Sequence, residues 1–148
     1  MTRFAGYAAV FDAADRGGDV VRRGAFRVRG AVPLLWQHGG APVGKVEWLA
    51  EDSRGLRVIG RVEDAGLAEA VARGAVTGLS FGYRVQAARA GRVRELLQVE
   101  LVEVSLVARP MQPLARVHAV EACMPEVDVQ STDNRGATEP RHRGAGLT

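Results

Sequence analysis

The chain has 148 residues, 47% of them hydrophobic, a single cysteine and a formal charge of only +3. That length is one domain's worth and the apolar content suffices for an ordinary core. One cysteine excludes an internal disulfide and any cysteine-based zinc cluster, and the formal charge is too small and too scattered for a nucleic-acid footprint. No apolar run approaches the roughly 18 residues that span a bilayer, and MTRFAGYAAVFDAADRGG lacks the charged-then-apolar pattern of a secretory leader. The expectation is a cytoplasmic protein without a metal or cofactor.

In chain order, residues 4–11 alternate loosely and predict a strand, and DAADRGGD (12–19) predicts a loop. Residues 20–29 are ambiguous, with room for a short helix around Gly24-Ala25-Phe26. Three strands are expected at PLLWQH (33–38), PVGKVEWL (42–49) and LRVIGRVE (56–63), with turns at Gly39-Gly40 and 53–55. Links this short favour antiparallel neighbours. Asp64 predicts the N-cap of a short helix that Gly74 stops. A strand then runs over about 76–87, a turn at 89–91 leads into a long strand over 93–107, and Pro110 and Pro113 end it. Residues 114–120 suit one more short strand. The composition changes at residue 122, which divides the chain into a domain (1–121) and a tail (122–148) read as disordered. The expected fold is mainly β with a flanking helix or two, a small antiparallel barrel or orthogonal sandwich.

GLSFGY (78–83) satisfies G-x-S-x-G, the nucleophile-elbow pattern of α/β-hydrolases. That elbow lies between a strand and a helix, whereas here a helix precedes Ser80 and a strand continues past it. Taken alone, the stretch reads equally as a glycine-punctuated strand with a buried serine. A serine nucleophile needs a base. Of three histidines, His142 lies in the tail, His118 lies in the last apolar stretch, and His38 ends the run PLLWQH beside two glycines. In ELLQVELVEVSLV (95–107), alternation puts Leu97, Val99, Leu101, Glu103, Ser105 and Val107 on one face. Glu103 interrupts that apolar face, where a carboxylate is costly without a partner. A histidine would supply one, as in the third position of a triad. An arginine salt bridge or a solvent-exposed face would also serve, and Ser105 is a less favoured nucleophile on the same face.

The order of these blocks resembles the tailed-phage prohead protease family, the serine proteases that mature capsids. The resemblance covers residues 4–120 and is carried by GYAAVFDAADRGGDVVRRGAF, PLLWQHGGAPVGKV, ARGAVTGLSFGYRV and LVEVSLVARPMQPLARV. It implies a herpesvirus-assemblin-like barrel in which His38 is the base, Ser80 the nucleophile and Glu103 the acidic third member. Assemblin-like relatives use a second histidine in that role, which makes His118 the rival. Oxyanion donors are expected among N–H groups near Ser80 and around Arg109. The exit MQPLARV departs from the family's more usual small-residue run, a change expected to affect packing more than chemistry. The resemblance further implies action inside the assembling prohead in the bacterial cytoplasm, of a phage, prophage or gene transfer agent. Its partner would be the major capsid protein with its scaffold segment, with cleavage of the protease itself and self-association in the shell. The alternatives are a non-catalytic assembly protein on the same barrel and a cytoplasmic esterase or amidase using Ser80, Glu103 and His118.

Overall fold

The computed structural model describes residues 1–122; the expected tail, with Cys123 and His142, lies outside them. Nine strands and one helix follow in the order β1 (Thr2–Val10), β2 (Asp19–Val21), β3 (Phe26–Val28), β4 (Pro33–Trp36), β5 (Gly39–Glu51), β6 (Gly55–Val62), α1 (Ala65–Ala72), β7 (Gly78–Arg89), β8 (Arg94–Val107) and β9 (Val117–Ala122). The mainly-β expectation holds. Among the described residues there is one helix, and it is neither long nor apolar enough to cross a membrane.

Strand β8 is the spine. Along one edge it pairs in parallel with three short strands in succession: β2 at residues 94–96, β3 at 99–101 and β4 at 104–106. Along the other edge it pairs antiparallel with β7 over almost its whole length. The expected helix near Gly24 is therefore a turn, with Gly24 at φ +77° and the Ala25 carbonyl accepting from Val99 N–H at 2.9 Å. From β4 the sheet continues antiparallel through β5, β6, β1 and β9. The two ends meet at a seam, where Leu79 N–H donates to Ala115 O at 2.9 Å and Val117 N–H to Thr77 O at 2.8 Å. Among the described residues only the single bridge Gly78–Arg116 spans this seam, so the sheet curls towards a barrel without closing into one.

The core explains the curl. Phe4, Leu34, Leu56, Val58, Leu79, Val99, Val104 and Leu106 are fully or almost fully buried, and each such side chain contributes about 1.5–3 kcal/mol on leaving water. Phe4 pairs with Gly60, and a Cβ there would stand 2.6 Å from the Phe4 ring, so the glycine makes room for the aromatic. Helix α1 begins as expected, with Asp64 Oδ2 accepting from Leu67 N–H at 3.0 Å, and ends at Gly74 with φ +76°. It buries Ala68 and Val71, and the Ala68 carbonyl satisfies the buried Thr2 hydroxyl at 2.8 Å. Leu97 departs from its expected face: it is exposed and Leu96 is buried instead. Register shifts between Val85 and Ala88 of β7 break the alternation across from it.

Candidate active site

The link between β4 and β5 has two residues, Gln37 and His38, not the two glycines that follow. Both have positive φ, +52° and +62°, as a type I′ hairpin requires; Asn-Gly is the ordinary choice there. Each such residue costs about 1–3 kcal/mol unless its surroundings hold it. Here β8 and its exit hold both. Gln37 N–H donates to Leu106 O at 3.0 Å, Gln37 Oε1 accepts from Ala108 N–H at 2.7 Å, and His38 N–H donates to Ser105 Oγ at 3.1 Å. The turn thus places the His38 side chain over the end of β8.

Register brings the acid to it. Across β4, β8 and β7 one row reads Leu35–Ser105–Ser80, and Glu103 pairs with Gly82. Glu103, Ser105, Ser80 and Gly82 therefore share one face of the sheet. Glu103 is only 7% exposed and both its oxygens are engaged. Oε1 bonds His38 Nδ1, and Oε2 accepts from Ser105 Oγ at 2.6 Å. The fully buried Ser105 is thereby joined at once to the carboxylate and to the histidine backbone, a positioning role that its place in the sequence did not disclose. Since the carboxylate accepts at Oε1, His38 Nδ1 carries the proton and Nε2 is left free.

Ser80 is the third residue of β7, 7% exposed, and lines a cavity of about 170 Å³ with His38, Tyr83, Asp15 and Asp19 among its walls. No hydrogen bond joins Ser80 to His38 among the described residues. The glycines of G-x-S-x-G have strand roles here. A Cβ at Gly78 would stand 2.5 Å from Val107 O, and one at Gly82 would stand 2.5 Å from Glu103 Oε1. Gly82 is the space in which the Glu103 carboxylate lies. Gly82→Ala is expected to push that carboxylate off His38 and to lower stability by about 1–3 kcal/mol through overpacking. Loss of the hydrogen-bonded Nδ1 proton resonance of His38, with a lower urea midpoint, would show it.

His118 is elsewhere. It lies on β9 with its ring 5.7 Å from that of Tyr7, and it lines a hollow beside the end of α1 rather than the Ser80 cavity. Arg109 borders a second hollow that shares His38 and Met111 with the Ser80 cavity, and Arg16 and Pro110 line it too. The unusual exit residue Gln112 is buried and grips the chain before the 12–18 loop. Its amide accepts from Val10 N–H at 2.6 Å and donates to Val10 O at 2.7 Å and Ala13 O at 3.0 Å. Arg16 N–H adds a bond to Met111 O at 2.9 Å, so the two loops flanking the cavity are tied together.

One wall of the cavity is an ionic cluster. Arg94 donates twice to Asp19, at 2.8 and 2.7 Å, and Tyr83 OH donates to it at 3.0 Å. The guanidinium holds Asp19 below the usual carboxylate range, while burial and the bond to Asp19 push Tyr83 up to about 12. A depressed carboxylate pKa stabilises the fold above its ordinary value of 3.8 and ceases to do so as pH falls through the folded value. Asp19→Asn is therefore expected to be less stable than the parent at pH 6, with the gap closing towards pH 2. Urea midpoints of both proteins across that range check this.

A family model described as caudovirus prohead serine protease matches residues 1–130. The prohead protease of Enterobacteria phage HK97 is 33% identical over 136 residues, a match that takes in 80% of this chain and 60% of that protein. The chain thus spans about three fifths of the length of that relative. Among solved structures, KSHV protease, crystallised with a hexapeptide phosphonate inhibitor, aligns with a TM-score of 0.54 at 14% identity. That alignment covers 82% of this chain and 65% of that one. At that identity the likeness shows the fold, which is assemblin-like as expected.

Proposed function

Because the chain belongs to the caudovirus prohead serine protease family, we propose that it is a serine endopeptidase that trims the scaffold segment of the major capsid protein inside the assembling prohead. The observation that carries this reading is the His38–Glu103 pair beside the cavity that holds a buried, unpartnered Ser80 hydroxyl. Ser80 Oγ attacks the scissile carbonyl, His38 Nε2 takes its proton and returns it to the leaving amine, and Glu103 keeps the ring in the Nδ1–H form. Ser80 and His38 close to hydrogen-bond reach in the substrate complex; catalytic bonds are commonly longer without substrate.

The path of the substrate follows from the sheet. The inner edge of β7 is paired with β8, and its outer edge is bonded to the Ala115–Val117 segment only around Gly78 and Leu79. Beyond Ser80, no strand among the described residues takes that outer edge. An extended peptide adds there as a further strand, with main-chain hydrogen bonds supplying affinity. The proposed activity includes cleavage of the protease itself, within the residues after 122.

The test is co-expression with the major capsid protein of the same phage or prophage, followed by mass measurement of the capsid chain. The active protein should give a capsid chain shortened at one end, and Ser80→Ala should leave it whole. An untrimmed chain in both cases, with no labelling of Ser80 by a fluorophosphonate, would replace this reading with that of a non-catalytic assembly protein.

A further inference from the structure

The cavity that holds Ser80 has two chemically distinct parts. Ala8, Val21, Leu79, Phe81 and Met111 supply its apolar lining, and Asp15, Asp19 and Tyr83, which hydrogen bonds join to one another, supply a polar part. The two carboxylates differ. Asp19 is neutralised by its two bonds from Arg94 and filled by the third from Tyr83. Asp15 uses only Oδ1, which accepts from Gly17 N–H at 2.8 Å and Asp19 N–H at 2.9 Å. Among the described residues no cation lies within ion-pair distance of Asp15 and no donor reaches its Oδ2. The backbone bonds fix the carboxylate in place, and one of its oxygens is left for something else. Arg16 and Arg109 line the neighbouring hollow, which shares His38 and Met111 with this cavity, and are not among this cavity's own walls.

We infer that this cavity is the specificity pocket for a side chain flanking the scissile bond, and that it takes a long basic residue, lysine or arginine, whose cationic end meets Asp15. The inference rests on the peptidase reading above and adds the substrate class to it. Such a side chain matches both parts: its methylenes lie along the apolar lining while its head stays at the polar part. A buried polar nucleophile and an unpaired, backbone-fixed carboxylate share one hollow of about 170 Å³, room for a single side chain. A charge-assisted hydrogen bond here is worth about 1.5–3 kcal/mol, so the pocket should favour a basic residue over an apolar one of equal length by about tenfold or more.

The experiment uses the full chain and three diphenyl phosphonate probes that differ only in the side chain beside phosphorus: lysine, norleucine and glutamate. Adduct formation at Ser80 is followed by mass spectrometry, with a small fluorophosphonate as a side-chain-independent control. The expected result is labelling by the lysine probe about tenfold faster than by norleucine, with glutamate slowest. Asp15→Asn, which keeps the Oδ1 acceptor for the loop, should bring the lysine-to-norleucine ratio near one. Equal rates in the parent protein, or a ratio that survives Asp15→Asn, would overturn the pocket assignment while fluorophosphonate labelling left the peptidase standing. Failure of every probe, the fluorophosphonate included, would bring down both.

Discussion

His38→Ala is expected to reduce kcat for peptide cleavage by about a millionfold, as much as Ser80→Ala, and the double variant should lose no more than either alone. In the proposed mechanism the two side chains act as one unit: without the imidazole the hydroxyl keeps its proton, and without the hydroxyl the imidazole has nothing to activate. What survives in all three variants is the rate that binding and oxyanion donors supply without the pair. The fold should persist. The His38 side chain is 45% exposed and the turn is held through backbone groups, namely His38 N–H on Ser105 and Gln37 N–H on Leu106. Single-turnover rates on a trimmed capsid peptide, with urea midpoints of all variants, decide the matter. A loss below a hundredfold for His38→Ala, or strictly multiplicative losses in the double variant, would remove His38 from the role of base.

The helix and the long hairpin were legible because their signals are local. Asp64 and Gly74 bracket α1 within one short window, and β7 and β8 alternate over many residues on either side of a glycine turn. Strands β2, β3 and β4 were obscure or misbounded because each has only three or four residues. What makes them strands is the parallel edge of β8, some 70 residues away in the chain. The turn at Gln37-His38 was displaced onto Gly39-Gly40 for the same reason. Glycines advertise positive φ by themselves, whereas Gln37 and His38 adopt it because Ser105, Leu106 and Ala108 hold them there. In the candidate site, Ser80, His38 and Glu103 could each be named from chemistry and pattern. Ser105 and Gly82 could not: one acts as a hydrogen-bond relay and the other as empty space. Neither property is visible until register sets them against Glu103.

Glu103→Gln is expected to lower kcat by about ten-thousandfold with little change in KM, the loss that follows when a triad histidine is held in the wrong tautomer. The local hydrogen bonds dictate the direction. Ser105 Oγ already accepts from His38 N–H, so its own proton must find an acceptor, which Glu103 Oε2 now provides. An amide at this position meets that demand by turning its oxygen to Ser105, and its NH₂ group then faces His38 Nδ1. A donor facing Nδ1 forces that nitrogen to accept, and the ring proton moves to Nε2, where a base must be bare. Nitrogen-15 spectra of the labelled imidazole should show the change from the Nδ1–H to the Nε2–H form in parallel with the loss of rate. Ser105→Ala combined with Glu103→Gln frees the amide to turn over and should recover part of that loss. A Glu103→Gln enzyme that keeps the Nδ1–H tautomer and more than a tenth of its rate would show that the carboxylate serves the fold of this corner rather than its chemistry.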